Sequence, residues 1–184
     1  ALFSVAVFLT FSLAEQPTDP LAAYMDARAT VKKFNGSVSI SKNGETLFEQ
    51  GYGFANIEHD VANAPHTKFR IGSITKQFTA MAIVLLEEQG KLSTTDKISK
   101  YLDSAPEVWS EITIHHLLTH TSGIPSFTGM ADYGPNMMLP QSKEQMIARL
   151  RDEPLNFAPG ERFDYSNSGY FLLGVIVEKA SGQS

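Results

Sequence analysis

Two tetrapeptides in the 184-residue chain pair a serine with a lysine three positions on: Ser39-Ile-Ser-Lys42 and Ser73-Ile-Thr-Lys76. A lysine amine beside a serine hydroxyl can take its proton and make the oxygen a nucleophile. Backbone geometry decides which copy is able to. The first lies in an alternating stretch that reads as a strand, where residues three apart point to opposite faces. The second opens a helical pattern, where residues three apart share a face one turn apart. Free N–H groups and the positive end of the dipole at a helix start favour a deprotonated Ser73 and the anion that forms on attack. The same field opposes a second positive charge, which suits Lys76 to accept the Ser73 proton. Taken alone, the tetrapeptide is explained as well by a capping serine and a solvated lysine.

Other patterns for nucleophiles and metals are missing from the sequence. No serine has glycine two residues before and two after it, as a nucleophile elbow needs. There is no His-Glu-x-x-His, no phosphate-binding loop and no Gly-x-Gly-x-x-Gly opening a helix. His116 and His120, four apart, would share one helix face as a zinc pair does. A zinc site needs a third ligand, none is placed near them, and they read as hydrogen-bonded histidines. His59 and His66 read as loop residues. Without cysteine, neither a disulfide nor a thiolate metal site can form.

The elements that must position Ser73 and Lys76 belong to a globular chain with 42% hydrophobic and 19% charged residues. The length suits one domain. The net charge of −5 is spread without a basic stripe, which argues against nucleic acid as a partner. Residues 1–14, ALFSVAVFLTFSLA, are apolar but shorter than the roughly 20 residues of a membrane span. Ser12-Leu13-Ala14 places small residues where a signal peptidase cuts. We read a clipped export signal, a mature start at Glu15, and an exported, periplasmic or secreted protein with no stable membrane span. A buried N-terminal helix is the other account of this segment.

Asp19-Pro20 predicts a helix start, with Asp19 as cap, and Gly36 its end. The stretch around Asn43-Gly44 predicts a hairpin, because both central residues of that turn need positive φ. Only helices are expected afterwards. One begins at Ser73, places Phe78, Met81, Ala82 and Leu85 at helical spacing, and closes at Gly90. Thr113 caps a short helix through His120, and Ser142 with Gln145 forms a capping box. Asn167 caps a last helix whose apolar centre requires burial on several sides. The stretch IPSFTGMADYGPNMMLPQ is long enough for a cleft-edge loop, or for plain surface. A lone hairpin is marginal in water, so the sheet reads as incomplete.

Three ordered blocks, FRIGSITKQFTAMAI, ITIHHLLTHTSGIPS and FAPGERFDYSNSGYFLLGVIVE, resemble the signature blocks of the serine β-lactamase-related family. That family holds class C β-lactamases, D-alanyl-D-alanine peptidases and esterases. The resemblance covers residues 20–184 and implies an α+β, serine β-lactamase-like fold, an antiparallel sheet packed by helices plus an all-α region. It implies Ser73 as the acylated nucleophile with Lys76 beside it, Tyr165 and Asn167 from a Tyr-x-Asn motif, and His116 and His120 as scaffold. It implies no cofactor and no metal; the partner is a small-molecule or peptide substrate, and the oligomeric state stays open. A Lys76 cation would stabilise the Tyr165 phenolate, whose free value is about 10. Ser73, Lys76 and Tyr165 would then pass one proton, with Lys76 and Tyr165 both open as the base. Asn167 has two accounts, as support for Lys76 or the substrate amide and as a helix cap.

The family's third motif, Lys-Thr-Gly or His-x-Gly on a later strand, has no match here. Lys42-Asn43-Gly44 lies in the hairpin turn. The resemblance therefore implies an N-terminal part of the domain, residues 15–184, truncated before the C-terminal strands. That later strand supplies one oxyanion donor, and losing such a donor costs about 100- to 1,000-fold in rate. The expectation is a serine hydrolase of β-lactams, D-amino-acid peptides or esters, poorly folded and inactive as this piece alone. The alternative is a penicillin-binding sensor or a binding protein with a relic site.

Overall fold

The computed structural model describes residues 20–31 and 33–183; the expected export segment and the expected Asp19 cap lie outside them. The chain divides into two compact units, one ending at Arg70 and the other beginning at Ile71.

In the first unit, helix α1 runs over Pro20–Thr30, and strands β1 (Gly36–Lys42) and β2 (Glu45–Tyr52) pair antiparallel. Asn43 and Gly44 turn the hairpin with φ of 53° and 84°, as their types require. Ser39 donates across the ladder to Glu49 Oε1 at 3.0 Å, so the first serine–lysine copy uses its hydroxyl in the sheet. Two expectations change. Helix α1 stops well before Gly36, because Asn35 is held by the far end of the hairpin. Its amide accepts from the Phe54 N–H at 2.7 Å and donates to the Phe54 carbonyl at 3.1 Å. A second ladder also follows the hairpin, β3 (Phe54–Asn56) with β4 (Val61–Ala62). Its turn is closed by the Asn56 side chain accepting from the His59 N–H, with Asp60 at φ 49°.

The second unit is helical. It contains α2 (Thr75–Glu88), α3 (Ile114–Leu118), α4 (Tyr133–Asn136), α5 (Lys143–Arg151) and α6 (Asn167–Ser181). Helix α6 is its axis. Leu172, Leu173 and Ile176 are fully buried, and α2, α3 and α5 pack around them. Helix α2 meets this core through Ile83 and Leu86. The residues that showed the helical spacing lie mostly off the core face: Phe78, Met81 and Leu85 are 63%, 57% and 46% exposed, and Ala82 is half-buried. Both stripes of α2 are apolar, so periodicity alone could not choose between them. Among the described residues no helix is long and apolar enough to cross a membrane.

Short-range polar bonds set the connections. Past Gly90 (φ 68°), Glu87 Oε1 accepts from the Thr94 N–H and hydroxyl at 2.6 and 2.9 Å, tying the end of α2 to the next turn. Asp96 accepts from Lys100, the Tyr101 hydroxyl and the Ser93 N–H, which hold its carboxyl down at about 2. Thr113 caps α3 and Ser142 caps α5, each in a reciprocal box, with His116 and Gln145 as the partners. His116 is thus engaged in the cap. Helix α3 ends at Leu118 and His120 takes φ 58°, so the two histidines do not share a helix face.

Candidate active site

Ser73 sits in a 3₁₀ turn, Gly72–Ile74, that runs directly into α2, where the sequence reading had the helix begin at Ser73 itself. Lys76, in the first turn of α2, comes back over it, with Nζ 3.3 Å from Ser73 Oγ. Two residues from the distant α6 end complete the group. Tyr165 places its hydroxyl 2.7 Å from Ser73 Oγ. Asn167 Oδ1 accepts from Lys76 Nζ at 2.7 Å. The Lys76 ammonium also lies 4.9 Å from the Tyr165 ring centre and 5.5 Å from that of Tyr170, over both π faces. All four candidate residues therefore meet at one point.

Their placement depends on a short stretch after α3. The His120 carbonyl accepts from the Asp164 N–H, Thr121 from Gly160 and Gly123 from Asn156, each at 2.8 Å. These bonds lay residues 156–164 along residues 120–123 and aim Tyr165 at the α2 start. Gly123 is required there: it has φ 77°, and a Cβ would stand 2.2 Å from the Phe157 carbonyl oxygen. The second and third sequence blocks are thus bound to each other through their backbones.

The cap of α6 differs from expectation. Ser166, buried, accepts from the Gly169 N–H, and Asn167 is the first helical residue. Its side chain is consequently free to span from Lys76 to Thr128, whose hydroxyl accepts from Asn167 Nδ2 at 3.0 Å. The Asn167 N–H donates to Ser126 Oγ at 3.0 Å, and buried Ser168 accepts from the Phe127 N–H and donates to the Pro125 carbonyl. Residues 125–128 are thereby fastened to the first turn of α6. Phe127, Thr128 and Tyr133 wall a cleft of about 440 Å³ that runs past Ser73, Lys76 and Asn167. The front of the Gly-, Pro- and Met-rich stretch is therefore cleft edge. Ser126, Thr128 and Ser168 were not singled out from sequence; their only signal was that Ser126 and Thr128 lie within the flagged stretch and Ser168 follows the Tyr-x-Asn triplet.

The charge pattern follows from these contacts. The Lys76 ammonium, then the Ser73 hydroxyl, hold the Tyr165 phenol below its ordinary value, with slight burial opposing them. Burial, then the Lys76 charge, hold His120 below the usual imidazole value. Burial raises Tyr170.

The beta-lactamase family model matches residues 22–184. Penicillin-binding protein 4* of Bacillus subtilis is 37% identical over 156 residues, covering 83% of this chain and 34% of that protein. Two solved structures share the architecture. The octameric penicillin-binding protein homologue from Pyrococcus abyssi superposes with a TM-score of 0.73 at 39% identity, over 89% of this chain and 39% of that one. The penicillin-binding protein from Bacillus halodurans gives 0.75 at 35% identity, over 87% and 51%. The chain spans about a third of the length of the curated relatives it matches. With its helical unit, its antiparallel ladders and a family match over nearly all described residues, the chain belongs to the beta-lactamase family.

Proposed function

We propose that the chain carries the acylating centre of a serine hydrolase. Ser73 Oγ adds to the carbonyl carbon of an amide, lactam or ester, and its proton passes to the acceptor form of one neighbour, a Tyr165 phenolate or a neutral Lys76 amine. As the tetrahedral intermediate breaks down, the C–N or C–O bond cleaves and that proton goes to the leaving nitrogen or oxygen. Water then hydrolyses the Ser73 ester. The observation that carries this reading is one serine oxygen within reach of two proton carriers, Tyr165 at 2.7 Å and Lys76 at 3.3 Å, at an open cleft. Asn167 keeps Lys76 aimed at Ser73.

The test is intact-mass spectrometry of the full-length protein mixed with benzylpenicillin and, separately, with p-nitrophenyl acetate, with Ser73→Ala as control. A mass increase that vanishes in the variant is the expected result. No adduct and no consumption of either probe would sink the proposal. The second reading is a penicillin-binding protein without turnover; two relatives named as penicillin-binding proteins support its binding half. An adduct that persists, without steady product release, selects it.

A further inference from the structure

We infer that His120 is the positioning residue for Tyr165, holding the phenol against Ser73 through a backbone clamp that only the neutral imidazole can make. This rests on the proposed role of Ser73 and Tyr165. Three kinds of contact converge. His120 Nδ1 accepts from the Ser166 N–H at 3.1 Å, and its carbonyl accepts from the Asp164 N–H at 2.8 Å. The residues on either side of Tyr165 are thus tied to one residue. The imidazole also lies against the Tyr165 ring, centres 4.6 Å apart at 32°, and against Tyr170 at 5.0 Å and 35°. The left-handed backbone of His120, φ 58°, turns ring and carbonyl toward the same segment.

Because Nδ1 accepts, the proton of the neutral ring is on Nε2. A second proton would occupy Nδ1 and set donor against donor at the Ser166 N–H. That N–H would lose its acceptor, and the Tyr165 segment its fixed distance from Ser73. The ionisable groups facing the ring are Lys76 from α2, Tyr165 from the clamped segment and Tyr170 from α6. Burial, then the Lys76 charge, opposes a charged ring and outweighs the Ser166 backbone contact, which acts the other way. The neutral form, with the clamp closed, therefore persists at pH below the usual imidazole value, and the clamp opens as pH falls further.

The test compares two substitutions in the full-length protein by the rate of Ser73 acylation with p-nitrophenyl acetate, alongside melting temperature. His120→Phe keeps a ring of similar shape and removes the acceptor. His120→Asn keeps an acceptor near Nδ1, tolerates the left-handed backbone and cannot take up a proton. His120→Phe is expected to slow acylation about 100-fold, the scale of a misplacement near 1 Å. His120→Asn is expected to restore the rate to within about fivefold of wild type and to move the acidic limb of the pH–rate profile to lower pH. A His120→Phe protein that acylates as wild type, or a His120→Asn profile coincident with wild type, overturns the inference. Should His120→Phe fail to fold, the His120→Asn profile decides. Acylation that persists in Ser73→Ala instead removes the function proposed for the site, whichever way the His120 variants behave.

Discussion

The geometry at Ser73 depends on distant side chains, Tyr165 reaching Ser73 from 92 residues away and Asn167 reaching Lys76 from 91, and Lys76 is the residue with most to lose. Its ammonium has several places to point: Ser73, Asn167 and two aromatic faces. The bond to Asn167 selects one of them. A hydrogen bond to a charged group contributes about 1.5–3 kcal/mol, which corresponds to about 10- to 100-fold in rate if its loss re-aims the amine. Asn167→Ala is accordingly expected to slow single-turnover acylation by about that factor. The melting temperature should change little, because Ser166 caps α6. An Asn167→Ala protein acylated at the wild-type rate would show that Lys76 needs no such guide.

At the scale of elements, the decisive structure is irregular: residues 120–123 against 156–164, then the first turn of α6. Gly123 is the narrowest point. Gly123→Ala should cost more than about 2 kcal/mol, since it combines a disfavoured φ with overlap on backbone. Thermal unfolding measures this, and a variant melting with wild type would mean that the segments part easily. How much of this was legible varies by residue. The caps at Thr113 and Ser142 could be read because a cap bonds its own next turn. The α6 cap was misplaced by one, because Ser166 and Asn167 are both competent and only the Lys76 contact separates them. Helix α3 was drawn too long, since nothing local says that His120 adopts left-handed φ.

For the whole molecule, the outstanding feature is the stripe Ile71, Ile74, Phe78, Met81 and Leu85, every member 46–63% exposed. Contiguous exposed apolar surface of this kind favours association. The 184-residue chain by itself is therefore expected to bind a hydrophobic dye and to self-associate on sedimentation. Phe78→Glu with Met81→Lys should weaken both while leaving Ile83 and Leu86 in the core. Dye binding unchanged by that pair would place the adhesive surface elsewhere.

What the sequence determined by itself is what local geometry can enforce. The Asn43-Gly44 turn, the caps at Thr113 and Ser142 and the nearness of Ser73 to Lys76 each involve residues a few positions apart, so the backbone conformation suffices. Tertiary structure decided the rest. It chose which apolar stripe of α2 faces α6, freed Asn167 for Lys76 by giving the cap to Ser166, and set His120 against the Ser166 N–H and the rings of Tyr165 and Tyr170. The physical reason is common to all three. Each choice compares local options of nearly equal energy, and a contact from a distant segment breaks the tie.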